Sequence, residues 1–317
     1  MLFTLADPMR RNGLLAVLLS GLCLGSVAVA EDPPSGIAAS KAELLALTPQ
    51  WQGDRYPDGR PKFPDALLER MKAVSIEDAW EALRDHGYHN QFEGNWTILH
   101  PDKPLVGRAL TAAYLPSRPD LDEHVMRIGK AERRIGRSNS WPIDMLQKGD
   151  LYIADGFGKV IDGTLIGDNL GTAIYARSGT GVVFYAGARD LAGLLGIEGF
   201  NAFVRGWDPS EIRGMVLSSI NRPIRIGRAV VMPGDVILAK REGVLAIPVH
   251  LAEEIVVTGE IIAIKDEFGH LRLREQVYTP GQIDSKWTEA IKSDFFNWYK
   301  SRKNNPPIPL KEIEKHL

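Results

Sequence analysis

Residues 167–190 read GDNLGTAIYARSGTGVVFYAGARD, and the way this stretch changes its period decides the fold. Gly167-Asp168-Asn169-Leu170 opens a run with helical spacing over residues 169–178. The first N–H groups of a helix have no intrahelical acceptor, so this position suits an anion such as a carboxylate. Gly167 and Gly171 bracket it and let a ligand approach the main chain closely. The same Gly-Asp-Asn pattern also caps ordinary helices that bind nothing. After a turn at 178–181 comes an apolar strand, Val182-Val183-Phe184-Tyr185, which ends in small residues and then Arg189-Asp190. Neighbours in an extended segment point to opposite sides, which predicts that Arg189 and Asp190 serve two different ligands and not merely each other. A guanidinium fork matches a carboxylate bidentately, and a carboxylate is a hard ligand for magnesium or manganese. The plain alternative is an Arg-Asp pair that ties down a surface loop.

Outward from this stretch, short β-like runs separated by turns are expected at 106–114, 150–155, 181–185, 202–204, 224–226, 229–231, 235–239 and 243–247. Helical patterns lie between them at 169–178 and 251–264, so the core is α/β. Residues 65–87 carry apolar side chains at helical spacing, with Ser75 before Glu77-Asp78 as an N-cap. Residues 31–64, rich in proline and turn signals, are expected to form a linker and arm. The domain proper is expected over 65–285. Residues 286–317 form a helical C-terminal extension whose Trp287, Phe295, Phe296 and Trp298 suit packing on a neighbouring domain or subunit.

Composition narrows the function classes. The chain has 317 residues, 44% hydrophobic and 25% charged, with 38 basic against 40 acidic side chains and a formal net charge of -2. That is an ordinary globular composition without the basic surplus that a phosphate backbone demands, so no nucleic acid is expected as a partner. Arg10-Arg11, the apolar run 13–29 and Ala28-Val29-Ala30 together predict a secretory signal over residues 1–30 and an exported, periplasmic mature chain, with no stable membrane span after cleavage. The paired arginines leave twin-arginine and general export both open. The only cysteine, Cys23, lies within this run, so the mature chain has neither disulfides nor thiolate ligands. Any metal must take carboxylates, imidazoles or water. Of the seven histidines only His86 and His89 are closely spaced, and solvated or structural roles suit them better than zinc ligation.

The order G-D-N-L, helix, G-x-G-V-V-x-Y-x-G-x-R-D resembles the family of 4-hydroxy-4-methyl-2-oxoglutarate aldolases and RraA-like proteins, the class II pyruvate aldolase type. The resemblance extends to Val106-Gly107-Arg108-Ala109-Leu110-Thr111, to Gly149-Asp150-Leu151-Tyr152-Ile153-Ala154-Asp155-Gly156, to Val231-Met232-Pro233-Gly234-Asp235-Val236 and to Glu242-Gly243-Val244-Leu245-Ala246-Ile247-Pro248. It implies a layered β/β/α core related to swivelling phosphohistidine domains, assembled as homotrimers or homohexamers with sites between subunits. It further implies that Asp190 ligates Mg2+ or Mn2+, that Arg189 holds the keto-acid end of a small 2-oxo acid, and that Asp168 stands beside a metal-bound water. Gly167, Asn169 and Leu170 would seat the carboxylate, and Glu267 of an adjacent subunit would complete the outer metal shell. The implied reaction is retro-aldol cleavage of a 4-hydroxy-2-oxo acid through an enolate, giving pyruvate or a related 2-oxo acid, with oxaloacetate decarboxylation as a side activity. Two departures bear on substrate: Lys240-Arg241-Glu242 where acidic residues are usual, and Tyr185 where a smaller residue or an acid is common. The resemblance also admits a metal-dependent lyase or hydratase acting on oxidised sugars or lignin-derived compounds, and a non-catalytic RraA-like binding or regulatory protein.

Overall fold

A computed structural model describes residues 36–305 and 307–317. The expected export signal over residues 1–30, with Cys23, lies outside the described residues. The elements in chain order are α1 (Lys41–Leu47), α2 (Asp65–Met71), α3 (Ile76–Asp85), β1 (Phe92–Glu93), β2 (Thr97–Ile98), β3 (Leu105–Pro116) and α4 (Pro119–Ala131). Then follow β4 (Asp150–Asp155), α5 (Asp168–Ser178), β5 (Val182–Ala188), α6 (Leu191–Leu195), β6 (Ala202–Trp207) and β7 (Met215–Ile220). The chain continues through β8 (Ile224–Ile226), β9 (Ala229–Val231), β10 (Val236–Lys240), β11 (Gly243–Ile247), α7 (Ala252–Arg274), α8 (Pro280–Ile283), α9 (Glu289–Ser301) and α10 (Leu310–Lys315).

A nine-stranded sheet runs β1-β11-β10-β3-β4-β5-β6-β2, with β7 paired to the far end of β3. Strands β3 to β6 are parallel neighbours, and each crossover between them carries a helix: α4, α5 and α6 in turn. The flanking strands are antiparallel. Side chains alternate strictly between the faces, as the pleat requires. On β4, Leu151 and Ile153 point to one face while Tyr152 and Ala154 point to the other; on β10, Ile237 and Ala239 oppose Val236 and Leu238. One face is covered by the small β8–β9 hairpin through Ile224, Ile226, Ala229 and Val231. The opposite face meets α4, α5 and α6 over its parallel half, and α2, α3 and α7 over its antiparallel half. This is the expected β/β/α layering.

The arm and the extension both belong to the one compact unit that spans the described residues. Arg60, from the arm, is fully buried and its Nη1 lies 2.9 Å from Asp150 Oδ2 at the start of β4. Buried Arg108 approaches the other carboxylate oxygen at 3.6 Å and reaches Asp65 at 2.7 Å. At the other end, the aromatic stripe of α9 packs on α7 of its own chain, with Phe295 5.4 Å from Phe268 and Trp287 5.5 Å from Phe295. The helical spacing over 65–87 divides into two helices: the chain turns at Ala73–Val74, and the expected N-cap Ser75 starts the second, its Oγ accepting from Asp78 N–H at 3.0 Å. Among the described residues no helix is long and apolar enough to cross a membrane.

Asp235, in the turn between β9 and β10, is 3% exposed, and its Oδ2 accepts from Met232 N–H at 2.8 Å. Burial pushes its carboxyl up to about 7. The folded value lies above the unfolded one, so the proton-linked stability is fully present below about pH 4 and is lost as pH rises through about 7. Denaturant unfolding is therefore expected to weaken by a few kcal/mol over that window. Asp235→Asn, which keeps an acceptor oxygen and cannot titrate, is expected to flatten the profile; an unchanged slope in this variant would assign the effect elsewhere.

Candidate active site

The site is made by two connections at the carboxyl edge of the parallel strands. The β4–α5 connection lies along β5, with Thr164 bridging Gly187 in parallel fashion and Leu165 N–H donating to Gly187 O at 3.0 Å. Arg189 N–H then donates to Ile166 O at 3.0 Å, which draws the start of the β5–α6 connection against Gly167. Contact there is so close that a Cβ on Gly167 would fall 2.1 Å from Asp190 Oδ2 and 3.2 Å from Arg189 Nε. A side chain at 167 would force the Asp190 carboxylate to move. Gly193, in α6, plays the same part for the neighbouring acid, since a Cβ there would sit 2.6 Å from Asp168 Oδ2.

Asp190 holds a left-handed backbone, φ 58° and ψ 44°, and stands as the N-cap of α6 without a side-chain capping bond. A non-glycine residue in that region costs roughly 1–2 kcal/mol, and such conformations cluster where function demands them. The strain turns the carboxylate out of the capping position and toward Gly167. It also corrects the expectation that Arg189 and Asp190 point to opposite sides. Strand β5 ends at Ala188, so strand alternation no longer governs the pair, and Arg189 Nε lies 3.6 Å from Asp190 Oδ2 with both side chains about two-fifths exposed.

These groups open into a cavity of about 350 Å³ lined by Gly167, Asp168, Asn169, Leu170, Arg189 and Asp190. Six of the seven residues expected from the sequence are thus brought together. Within that lining, Asn169 N–H is already taken by Asp168 Oδ1 at 2.8 Å. The expected anion seat at Asn169 is therefore shared with an acid of the same turn, and the N-cap Gly167 offers no side chain to the helix end. Glu267, the seventh, lies on α7, where Arg302 Nη1 donates to its Oε2 at 2.6 Å, and it does not line the cavity of its own chain. Sequence reasoning missed the rest of the lining: Arg137, Asn139, Ser140, Thr164, Glu211 and Ile212. Asn139, 8% exposed, donates to Leu165 O at 2.8 Å and so fixes the approach to Gly167. Glu211 at the rim accepts from Arg213 and neighbours Arg137, and these two cations hold its carboxyl below the ordinary glutamate range. No local pattern marks these residues, because their segments meet the cavity only through tertiary packing.

Among the described residues no three His, Cys, Asp or Glu side chains stand close enough together to cage a metal ion. Three carboxylates line the cavity, Asp168, Asp190 and Glu211; the last is held by Arg213 and Arg137 at the rim, which leaves Asp190 and Asp168 as the donors. That set fits an ion that retains most of its water, as magnesium does, and it does not fit zinc.

Fold and site together define an open-cavity α/β domain with acid and guanidinium side by side at a strand end. The chain belongs to the RraA-like family, described as Aldolase/RraA, which it matches over residues 74–246, more than half its length. Among solved structures it is similar to Streptomyces coelicolor RraAS2, an unusual member of the RNase ES inhibitor RraA protein family, at 22% identity and TM-score 0.57, covering 67% of this chain and 98% of that one. It is also similar to a protein of Pseudomonas syringae pv. tomato str. DC3000, at 18% identity and TM-score 0.57, covering 71% and 100%. A third, described under novel cellulases from microbes associated with the gut ecosystem, has 20% identity and TM-score 0.54, covering 68% and 90%. At these identities the likeness is one of fold.

The Gly167–Asp190 approach predicts a thermodynamic cycle. Gly167→Ala is expected to cost about 1–3 kcal/mol through overpacking, while Asp190→Gly is expected to gain about 1 kcal/mol by relieving the left-handed strain. In the double variant most of the Gly167→Ala cost should vanish; additive effects in denaturant unfolding would show that the two residues are not in contact.

Proposed function

We propose that this protein is an exported, divalent-cation-dependent carbon–carbon lyase that cleaves a 4-hydroxy-2-oxo acid to pyruvate or a related 2-oxo acid. The observation that carries this reading is Asp190, held in a strained conformation beside Arg189 in an open polar cavity, with a glycine facing its carboxylate. Asp190 would hold Mg2+ or Mn2+, which supplies positive charge where electron density collects on the substrate's 2-oxo oxygen.

The remaining work falls to the chain's own groups. Arg189 binds the carboxylate of the 2-oxo acid, and its guanidinium adds a second cationic centre beside the oxo oxygen. The first turn of α5 contributes the positive end of its dipole at the same wall. Asp168 uses Oδ1 to hold Asn169 N–H, which leaves Oδ2 to accept the C4 hydroxyl proton. As that proton leaves, the C4–O bond becomes a carbonyl, the C3–C4 bond breaks, and its electron pair moves to C3 conjugated with the 2-oxo group. Protonation at C3 then gives the 2-oxo acid product. Oxaloacetate would lose carbon dioxide through the same electron shift.

The same reading proposes a homotrimer or homohexamer in the periplasm, with Glu267 reaching the site of a neighbouring subunit. Exposed Phe157, Ile161, Leu191 and Leu195, on the segments next to the cavity, supply apolar surface for such an assembly.

Asp190→Ala is expected to lower kcat/KM for pyruvate release by about 10²–10³-fold, in the range set by loss of one preorganised electrostatic contributor. It should also abolish Mg2+ binding in calorimetry. Arg189→Lys, which loses the planar fork, is expected to raise KM by about tenfold while metal binding persists. Product analysis with oxaloacetate, 4-hydroxy-2-oxo acids and oxidised sugars, with and without magnesium, distinguishes the alternatives. Metal-dependent turnover of sugars alone would replace the substrate class, and no turnover of any compound by a magnesium-binding protein would favour a binding role.

A further inference from the structure

Helix α4 turns an unusual surface outward. Its inward face is fixed by Val125 and by Gly129, where the Trp141 ring packs so tightly that a Cβ would fall 2.2 Å from the indole. That rotation leaves Glu123, Met126, Arg127 and Lys130 around a shallow open depression, completed by Arg133 and Arg134 just past the helix end. Arg134 is neutralised by Glu132 at 2.6 Å, and Arg137 reaches Glu211 at 3.3 Å. Among the described residues Arg127, Lys130 and Arg133 have no carboxylate within ion-pairing distance; Arg127 touches only the His124 ring, at 3.0 Å. Two apolar side chains flank these three cations: Met126 is 51% exposed and Ile135 84% exposed. Arg133 and Gly136 both take positive φ, 56° and 79°, and this reversal sets Ile135 outward between them.

The same corner receives the first of the described residues. Ile37 N–H donates to Glu132 Oε1 at 3.2 Å, so the polypeptide enters the fold beside Arg133. In the sequence, this entry point follows the basic pair Arg10-Arg11 and the apolar run 13–29.

We propose that the α4 face, Arg127, Lys130 and Arg133 with Met126 and Ile135, docks the protein on an anionic phospholipid bilayer. Unpaired cations on an exposed helix match a plane of lipid phosphates. Isolated apolar tips between them match the shallow hydrocarbon boundary beneath, into which basic stems can also lie. An acidic protein partner would satisfy the cations but would leave Ile135, on a projecting turn and not in a groove, without a counterpart. The docking does not depend on the lyase reading or on removal of the segment before it.

The test uses the full chain in co-sedimentation with vesicles of phosphatidylcholine, with and without phosphatidylglycerol, so that apolar binding common to both is subtracted. A preference for the anionic vesicles that falls as salt rises is expected. Neutralising each cation should lower that preference about fivefold, and Arg127→Gln, Lys130→Gln and Arg133→Gln together about a hundredfold, at roughly 1 kcal/mol per basic residue near the surface. Ile135→Ser should weaken binding to anionic vesicles without altering the salt slope. Lys300→Gln on α9 with Lys303→Gln just past its end controls for net charge and should change neither. Because all these side chains are exposed, unfolding midpoints should match the parent. Equal binding to both vesicle types, or an anionic preference untouched by the triple variant in a folded protein, overturns the proposal.

Discussion

The contact between Gly167 and the Asp190 carboxylate is the constraint around which the site is organised. Strands β4 and β5 are parallel neighbours, so their outgoing connections leave from the same edge and compete for the same space. They share it only because one side supplies a residue with no side chain and the other accepts a left-handed backbone. Glycine at 167 costs entropy in the unfolded chain, and Asp190 costs conformational strain, each of about 1 kcal/mol. Neither cost improves packing of the core beneath, which is already filled by Ala186, Ala188 and Ile166. Their joint effect is to present a carboxylate, a guanidinium and a helix start to one cavity.

At the opposite end of β4 the sheet is held by a different device. Asp150 is fully buried and is shared by Arg60 and Arg108, with part of the guanidinium hydrogen-bonding capacity unmet. Burying such charges costs several kcal/mol per ion before pairing, so replacement by apolar residues could leave stability unchanged, whereas loss of one partner would strand the others. What the cluster does secure is position. Arg60 belongs to residues before the sheet, Arg108 to β3 and Asp150 to β4, so one carboxylate fixes the arm on the first two parallel strands. The arm behaves as part of the domain for that reason, although its prolines and turns suggest a linker.

What was legible in the sequence follows from how locally each feature is encoded. Strands β4, β10 and β11 are buried on both faces, so they appear as short apolar runs, and the stretch 167–190 carries its helix, turn and strand within one window. Strand β7, Met-Val-Leu-Ser-Ser-Ile, has no period-2 signal; it exists because the end of β3 offers an unpaired edge, met across a bulge at Ala113/Tyr114. Helix α4 was equally hidden, since its acidic start and basic end give a mostly polar surface helix with only Val125 and Gly129 buried. The rest of the cavity lining, Arg137 to Ser140 with Glu211, depends on where those segments fall in space and on nothing in their own pattern.

The departure at Tyr185, where a smaller residue or an acid is common, bears on the site only through the face on which it lies. On β5 the cavity-side core is formed by Phe184, Ala186 and Ala188, and Tyr185 points to the sheet face shared with the β8–β9 hairpin. There it meets Trp96 edge-on at 6.1 Å, and Arg205 lies 5.1 Å from its ring centre. A side chain on that face influences the site through the backbone it anchors: Gly156 N–H and Gly158 N–H both donate to Tyr185 O, at 3.1 and 2.9 Å, and so hold the loop that leads to Gly167. The ring itself is free to vary with whatever packs on that face, while the carbonyl role is open to any residue that stays in the strand. Tyr185 therefore belongs to the support beneath the cavity and not to its lining.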